Sequence, residues 1–178
     1  MPLTETAPAL RQLKGRYNLF GAEIGIYRGD NAAFYLKELD IKHIYLIDPY
    51  VGYDDYSPIG VGLKDLAIAE KIAHKRLCGH RQKIKWVKMK SSEATRLIAD
   101  ASLDFVYIDG NHSHDFVEED ITLYYPKLKR GGLLAGHDYD IESVKQAVDE
   151  FVVTHNLTLY SQPGAGMVTK YDWWIWKY

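Results

Sequence analysis

Phe105-Val-Tyr-Ile-Asp109-Gly-Asn-His112-Ser-His114-Asp115, followed one helix length later by Gly131-Gly-Leu-Leu-Ala-Gly136-His137-Asp138-Tyr139, decides how this chain folds. Each apolar run ends in an acid. Short apolar runs bounded by glycine and polar residues, with a helical pattern between them, read as neighbouring buried parallel strands. In open α/β sheets the ligand crevice lies beyond the carboxyl ends of such strands, so Asp109 and Asp138 are expected in one crevice. Two carboxylates with nearby imidazoles suit a divalent cation and an acid–base group.

Outward from that core, strand-like and helix-like stretches alternate with no internal repeat and no linker, the rhythm of an α/β domain. Leu10 to Lys14 closes a short leading helix, and residues 1–16 form a leading helix or arm to a single domain spanning 1–178. The first strand runs from Asn18 to Ile26. A helix from Asn31 to Leu39 turns Ala32, Ala33, Leu36 and Leu39 inward at spacings of three and four. His43 to Asp48 is the second strand, followed by a Tyr- and Asp-rich loop over Pro49 to Pro58 and a helix over Gly62 to Leu77.

Ile84 to Met89 is the third strand, and Ser91-Ser92-Glu93 opens a short helix to Ala99. After the fourth strand, Phe105 to Ile108, a helix carries Val117, Ile121, Tyr124 and Leu128 inward, with Pro126 kinking its last turn and Gly131 ending it. His114 and Asp115 stand at its start, with Asp115 capping toward Glu118. Leu133 to Ala135 is the fifth strand, and Ile141 to His155 a helix with Val144, Val148 and Phe151 inward. Leu157 to Ser161 and Tyr171 to Trp176, joined by a glycine-rich turn over Gln162 to Gly166, suit an antiparallel hairpin. Its Trp173, Trp174 and Trp176 place aromatics on both faces for packing.

With 178 residues, 47% hydrophobic and 26% charged, the chain has the composition of one soluble domain with a well-buried core. A formal net charge of -2 gives no electrostatic case for nucleic acid or an acidic membrane surface. The single cysteine, Cys78, has no internal disulfide partner and reads as a buried small side chain near a helix end. With no leader-like segment or long apolar run, the expected compartment is the cytoplasm.

The exit of the first strand carries Glu23-Ile-Gly25-Ile-Tyr27-Arg-Gly29. A dinucleotide site wants G-x-G-x-x-G so that backbone amides can approach a pyrophosphate, and here the middle glycine is absent. A phosphate-free ligand with an ammonium and a carboxylate fits better, with Glu23 at the cationic end and Gly25 leaving room. Asp48, 23 residues after Gly25, stands where an acid binds a ribose diol. Together these residues point to a nucleoside without phosphates.

At these motifs the chain resembles class I S-adenosylmethionine-dependent methyltransferases, in the group related to macrocin and macrolide-sugar O-methyltransferases, from about Tyr17 to the C-terminus. The Glu23–Gly29 segment resembles that group's first motif, Asp109 to His114 its Asp-Gly-x-His segment, and Gly131 to Tyr139 its fifth-strand segment. The helix at Val144 to Phe151 is similar to the group's as well. The resemblance implies a Rossmann-like seven-stranded sheet of order 3-2-1-4-5-7-6, strand seven antiparallel, with helices on both faces. It implies S-adenosylmethionine as cofactor, held by Glu23, Gly25, Gly29, Asp48, Asp109 and, beside the adenine, Ser92 and Glu93. It also implies a cation, Mg²⁺ or Mn²⁺, at Asp109, His137 and Asp138, and His112 as the base next to Asp109. In that group an acidic pair follows strand five, where this chain has His137-Asp138, so one ligand is an imidazole rather than a carboxylate.

The expected activity is O-methyl transfer to a hydroxyl of a small molecule or sugar, by a chain that could form a homo-oligomer. Each site also has a plainer reading. Glu23 and its glycines can form a tight strand-to-helix turn, Asp48 can start the Pro49 turn, and Ser92 and Glu93 can cap a helix. Asp109 and Asp138 can be satisfied by backbone amides, and His112 can bond its own loop. At the level of the whole chain the competitors are an NAD-dependent oxidoreductase and a non-catalytic binding or assembly module of the same fold.

Overall fold

The computed structural model describes residues 7–52, 63–163 and 171–178. Most of the Tyr- and Asp-rich loop and the glycines of the final turn therefore lie outside the described residues. Seven strands form one mixed sheet: β1 (Leu19–Ile24), β2 (Ile41–Ile47), β3 (Ile84–Val87), β4 (Leu103–Ile108), β5 (Leu128–Gly136), β6 (Leu159–Pro163) and β7 (Tyr171–Trp176). Their order is β3-β2-β1-β4-β5-β7-β6. The first five are mutually parallel, and β7 runs antiparallel to both β5 and β6. This is the expected Rossmann-like topology.

Side-chain alternation along the strands builds two cores, one on each face of the sheet. Phe105 and Tyr107 of β4 and Trp174 of β7 enter one core with α1 (Asp30–Glu38), α2 (Leu63–Arg76) and the 3-10 turn Pro8–Leu13. Val106 and Ile108, with Trp173 and Ile175, enter the other. That second core is roofed by α3 (Ser91–Ala94), α4 (His114–Tyr124) and α5 (Glu142–Thr154). The tryptophans of β7 thus serve both cores, as their alternation requires.

Four local expectations need correction. The helix α4 stops at Tyr124, and Pro126 sits in a separate 3-10 turn, Tyr125–Lys127, so proline ends the helix rather than kinking it. Leu128 is buried as expected, but as the first residue of β5. Gly131 is not a helix terminator. Register moves from Leu103↔Leu128 to Phe105↔Leu133, so β5 carries extra residues in a bulge, and Gly131 takes φ +74° there. Cys78 is exposed in the short 3-10 turn after α2, not buried.

Strand order fixes where a ligand can sit. β2 lies on one side of β1 and β4 on the other, so connections leave the sheet centre in opposite directions and open a crevice at the strands' carboxyl ends. Ladder bonds continue past the assigned strands: Gly25 N–H to Ile47 O at 2.9 Å, Asp109 N–H to Ile24 O at 2.8 Å, and His137 N–H to Ile108 O at 3.0 Å. The loops following β1, β4 and β5 therefore start at one level.

Candidate functional site

Gly25 enters the loop with φ +82°, and a Cβ placed there would stand 2.1 Å from the carbonyl oxygen of Asp109. Only glycine permits that approach of β1 to the end of β4. Two residues on, Tyr27 adopts φ +46°, and Gly29 follows at φ +74°. The left-handed conformation expected of a middle glycine is thus kept by a tyrosine, at the cost of backbone strain.

Asp48 shapes this loop. Its Oδ2 accepts the backbone N–H groups of Ile26 at 2.8 Å and Tyr27 at 3.0 Å, and its Oδ1 accepts that of Tyr50 at 2.7 Å. The plainer reading, an acid starting the Pro49 turn, is therefore realised, and the same carboxylate also ties β2 to the glycine loop. The Tyr50 hydroxyl closes the link by donating to Tyr27 O at 3.1 Å.

Glu23 is buried beneath this loop rather than lying at the surface. The hydroxyl of Tyr35, one turn into α1, donates to its Oε2, and the Asn31 side chain also favours its ionised form. Burial pushes its pKa well above the ordinary carboxyl value; Tyr35 and Asn31 oppose the shift, while the negative fields of Asp109 and Asp48 add to it. A positive ligand group near these three carboxylates would relieve that penalty.

Beyond β4 and β5 the structure brings Asp109, His112, His137 and Asp138 together. His112 Nε2 lies 3.2 Å from Asp138 Oδ2 and 3.7 Å from Asp109 Oδ1. His137 Nδ1 lies 3.0 Å from Asp138 Oδ2 and 3.9 Å from Asp109 Oδ1. One donor atom each from Asp109, His137 and Asp138 falls within 4.8 Å of the others, a spacing a single cation can bridge. Two carboxylate oxygens and one imidazole nitrogen suit Mg²⁺ or Mn²⁺, the imidazole favouring Mn²⁺. Burial disfavours the charged His137 ring, but the Asp138 hydrogen bond and the fields of Asp109, Asp138 and Asp172 outweigh it and hold its pKa at about 9.

Local backbone explains the gathering. Asp138, two residues past β5, takes φ +56° and is nearly enclosed. The His112 loop is pinned from both sides: Ser143 Oγ at the start of α5 donates to His112 O at 2.6 Å, and Ser113 N–H donates to Asn111 Oδ1 at 2.9 Å. The pairing of the His112 ring is therefore with carboxylates of the crevice.

Ser92 and Glu93 stand apart from this group, within α3 after β3. The residue preceding α3, Lys90, makes no side-chain cap, and neither Ser92 nor Glu93 fills that position. Their turn is propped from α4, where the Tyr124 hydroxyl donates to Ser91 O at 2.9 Å and Asp120 is hydrogen-bonded by the Ser91 side chain. At α4 itself the preceding residue is Ser113, and Asp115 pairs with His114 Nδ1 at 3.0 Å instead of capping.

Comparisons with known proteins bear on the family and the fold. Residues 22–139 match the model of a family described as a methyltransferase domain. The chain belongs to this methyltransferase family. The matched residues run from β1 through Asp138 and so contain every candidate site residue named above.

A protein of Acanthamoeba polyphaga mimivirus, named only as uncharacterized, is 28% identical over 123 residues, covering 66% of this chain and 50% of that protein. The chain spans about half the length of that curated relative. Among solved structures, the O-methyltransferase TomG from Streptomyces achromogenes, in complex with SAM, superposes with a TM-score of 0.68 at 12% identity, over 96% of this chain and 78% of that one. The precorrin 8W decarboxylase of Methanobacterium thermoautotrophicum gives 0.67 at 14%, over 95% and 87%. The spermidine synthase of Thermotoga maritima gives 0.63 at 17%, over 96% and 57%. At such identities these likenesses show the fold alone.

Four polar residues of the site's surroundings escaped the sequence reading: Asn31, Tyr35, Asp120 and Asp172. Asn31 and Tyr35 are four apart at the start of α1, a spacing that puts both on one helical face. Asp172 was visible as an acid inside an aromatic strand. It is fully buried on β7, accepting Ala9 N–H at 2.9 Å and the Tyr107 hydroxyl at 2.9 Å. Among the described residues, no helix is long and apolar enough to cross a membrane.

Proposed function

We propose that this chain is an S-adenosylmethionine-dependent O-methyltransferase of the group related to macrocin and macrolide-sugar O-methyltransferases, acting on a hydroxyl of a small molecule or sugar. The observation that carries the reading is the meeting of His112 with Asp109 and Asp138 beyond β4 and β5, beside the glycine loop of β1. A proton acceptor and an oxygen-rich cation site are what transfer to a hydroxyl needs there.

The glycine loop, with Asp48 tying it to β2, receives the cofactor. Glu23, Asp48 and Asp109 surround that place with negative charge suited to the cofactor's cationic end. Ser92 and Glu93, on the turn after β3, face its adenine. Asp109, His137 and Asp138 would hold Mg²⁺ or Mn²⁺. When bound, the cofactor supplies a methyl already activated as a sulfonium, and the cation supplies a Lewis acid that favours the ionised hydroxyl.

The chain's own task is alignment and proton removal. His112 takes the hydroxyl proton on the ring nitrogen that Asp138 does not hold, and Asp138, 3.2 Å from Nε2, orients the ring and stabilises the imidazolium that results. The acceptor best suited to such a site presents two neighbouring oxygens, as a vicinal diol or a catechol does, because both can reach one cation.

Calorimetric titration with S-adenosylmethionine and S-adenosylhomocysteine tests the cofactor. Transfer of a labelled methyl to a panel of diols and catechols, with and without Mn²⁺, tests the reaction. Heat with both cofactor forms and label transfer that a chelator suppresses support the reading. Absence of heat with either form defeats it, and binding of NADH instead would favour the oxidoreductase.

A further inference from the structure

Two carboxyl groups from different halves of the crevice lie against one neutral side chain. Asn31, the second residue of α1, donates from Nδ2 to Asp109 Oδ2 at 2.8 Å. The same side chain lies close enough to Glu23 to favour its ionised form. Glu23 lies on β1 and Asp109 just past β4, on strands that pair directly. A primary amide nitrogen carries two N–H groups, whereas an ionised carboxylate only accepts, so one asparagine can serve both acids at once. The helix holds it there, since Tyr35 bonds Glu23 from one turn further along.

We infer that Asn31 is a positioning residue that couples the two halves of the site, locking Glu23 and Asp109 into one geometry so that cofactor and divalent cation promote each other's binding. This rests on the function proposed above. Whichever ligand arrives first orders the amide and both carboxyl groups, and the second then binds a site already arranged. Such linkage is reciprocal by thermodynamic necessity. A serine would offer a single donor, and an aspartate none while adding a third negative charge.

The test measures S-adenosylhomocysteine affinity by calorimetry with and without Mn²⁺, and Mn²⁺ affinity by electron paramagnetic resonance with and without S-adenosylhomocysteine. In the native protein each ligand tightens the other by one common factor, on the order of tenfold. Asn31→Ala and the isosteric Asn31→Asp bring that factor close to one. Tyr35→Phe, which removes a Glu23 bond that does not reach Asp109, weakens S-adenosylhomocysteine alone and leaves the factor in place. A native factor of one or below, or a factor that persists in both Asn31 variants, overturns the inference while the observed heat preserves the methyltransferase reading. Absence of heat in the native protein removes that reading, and the inference with it.

Discussion

The carboxylate of Asp48 accepts the backbone N–H of Tyr27 at 3.0 Å, holding a non-glycine residue at φ +46° in the turn that opens the crevice. The left-handed region costs a bulky residue on the order of 1 kcal/mol or more. Tyr27→Gly should therefore stabilise the protein by up to about 1 kcal/mol in urea unfolding, offset in part by the greater freedom of the unfolded glycine chain. Asp48→Asn removes one of the two acceptors that hold three amides. It should cost about 1–2 kcal/mol and weaken S-adenosylhomocysteine binding roughly tenfold, because the loop loses its tether.

Gly25→Ala should be far more damaging than its single methyl suggests. The added Cβ would meet the Asp109 carbonyl at 2.1 Å, against backbone that cannot rotate away, and alanine is strained at φ +82°. A loss of about 3 kcal/mol or more is expected, with the thermal unfolding midpoint falling accordingly. An unchanged midpoint would mean that β1 and β4 do not approach as described.

His112 is tested by separating binding from turnover. His112→Ala leaves Glu23, Asp48 and the glycine loop intact, so S-adenosylhomocysteine affinity should stay within about twofold. Methyl transfer should fall about 10²- to 10⁴-fold, the usual contribution of a positioned base. Equal losses in binding and turnover would instead make His112 a structural support of the loop.

The cation site divides differently. Asp138→Asn keeps the size of the side chain but removes its charge from between His112 and His137, which it faces at 3.2 Å and 3.0 Å. Mn²⁺ affinity should fall by about 10- to 100-fold while the fold survives, since loss of a ligating or orienting carboxylate acts on that scale. Retained Mn²⁺ affinity in this variant would place the cation elsewhere.

How far the sequence reached can be judged residue by residue. The strand tips that bring Asp109, Asp138 and His112 to one crevice were legible, because apolar runs ending in glycine and acid mark strand tips, whereas the strand order followed from the resemblance to the methyltransferase group and not from the residue pattern. The bulge at Gly131 was not, since a glycine after a helical stretch carries the same local signal whether it ends a helix or interrupts a strand. Neither was the burial of Glu23. Its environment is made by Tyr35 and Asn31 from the following helix, and a tertiary partner leaves little trace in local pattern.

Asp120 and Asp172 give the fold a pH dependence that sequence could not announce. Burial raises each to about 7; the Ser91 hydrogen bond opposes this for Asp120, and Ala9 N–H, His137 and Tyr107 oppose it for Asp172. An unfolded aspartate titrates near ~3.9, so between about pH 4 and 7 the folded chain retains protons that the unfolded chain has released. Stability contributed by these groups is full below that window, falls as pH rises through it, and is lost above pH 7, by at most a few kcal/mol for each group. Asp120→Asn should flatten the decline between pH 5 and 7.5 in denaturant titrations, because an amide does not ionise and one oxygen of Asp120 has no hydrogen-bond partner to lose. Asp172→Asn should behave alike: the amide oxygen can accept Ala9 N–H while the amide N–H donates to the Tyr107 hydroxyl oxygen, as the protonated carboxyl does, so the decline should flatten here too. A decline of unchanged slope in Asp120→Asn would mean that Asp120 is already ionised in the folded protein, with its charge compensated by groups other than Ser91.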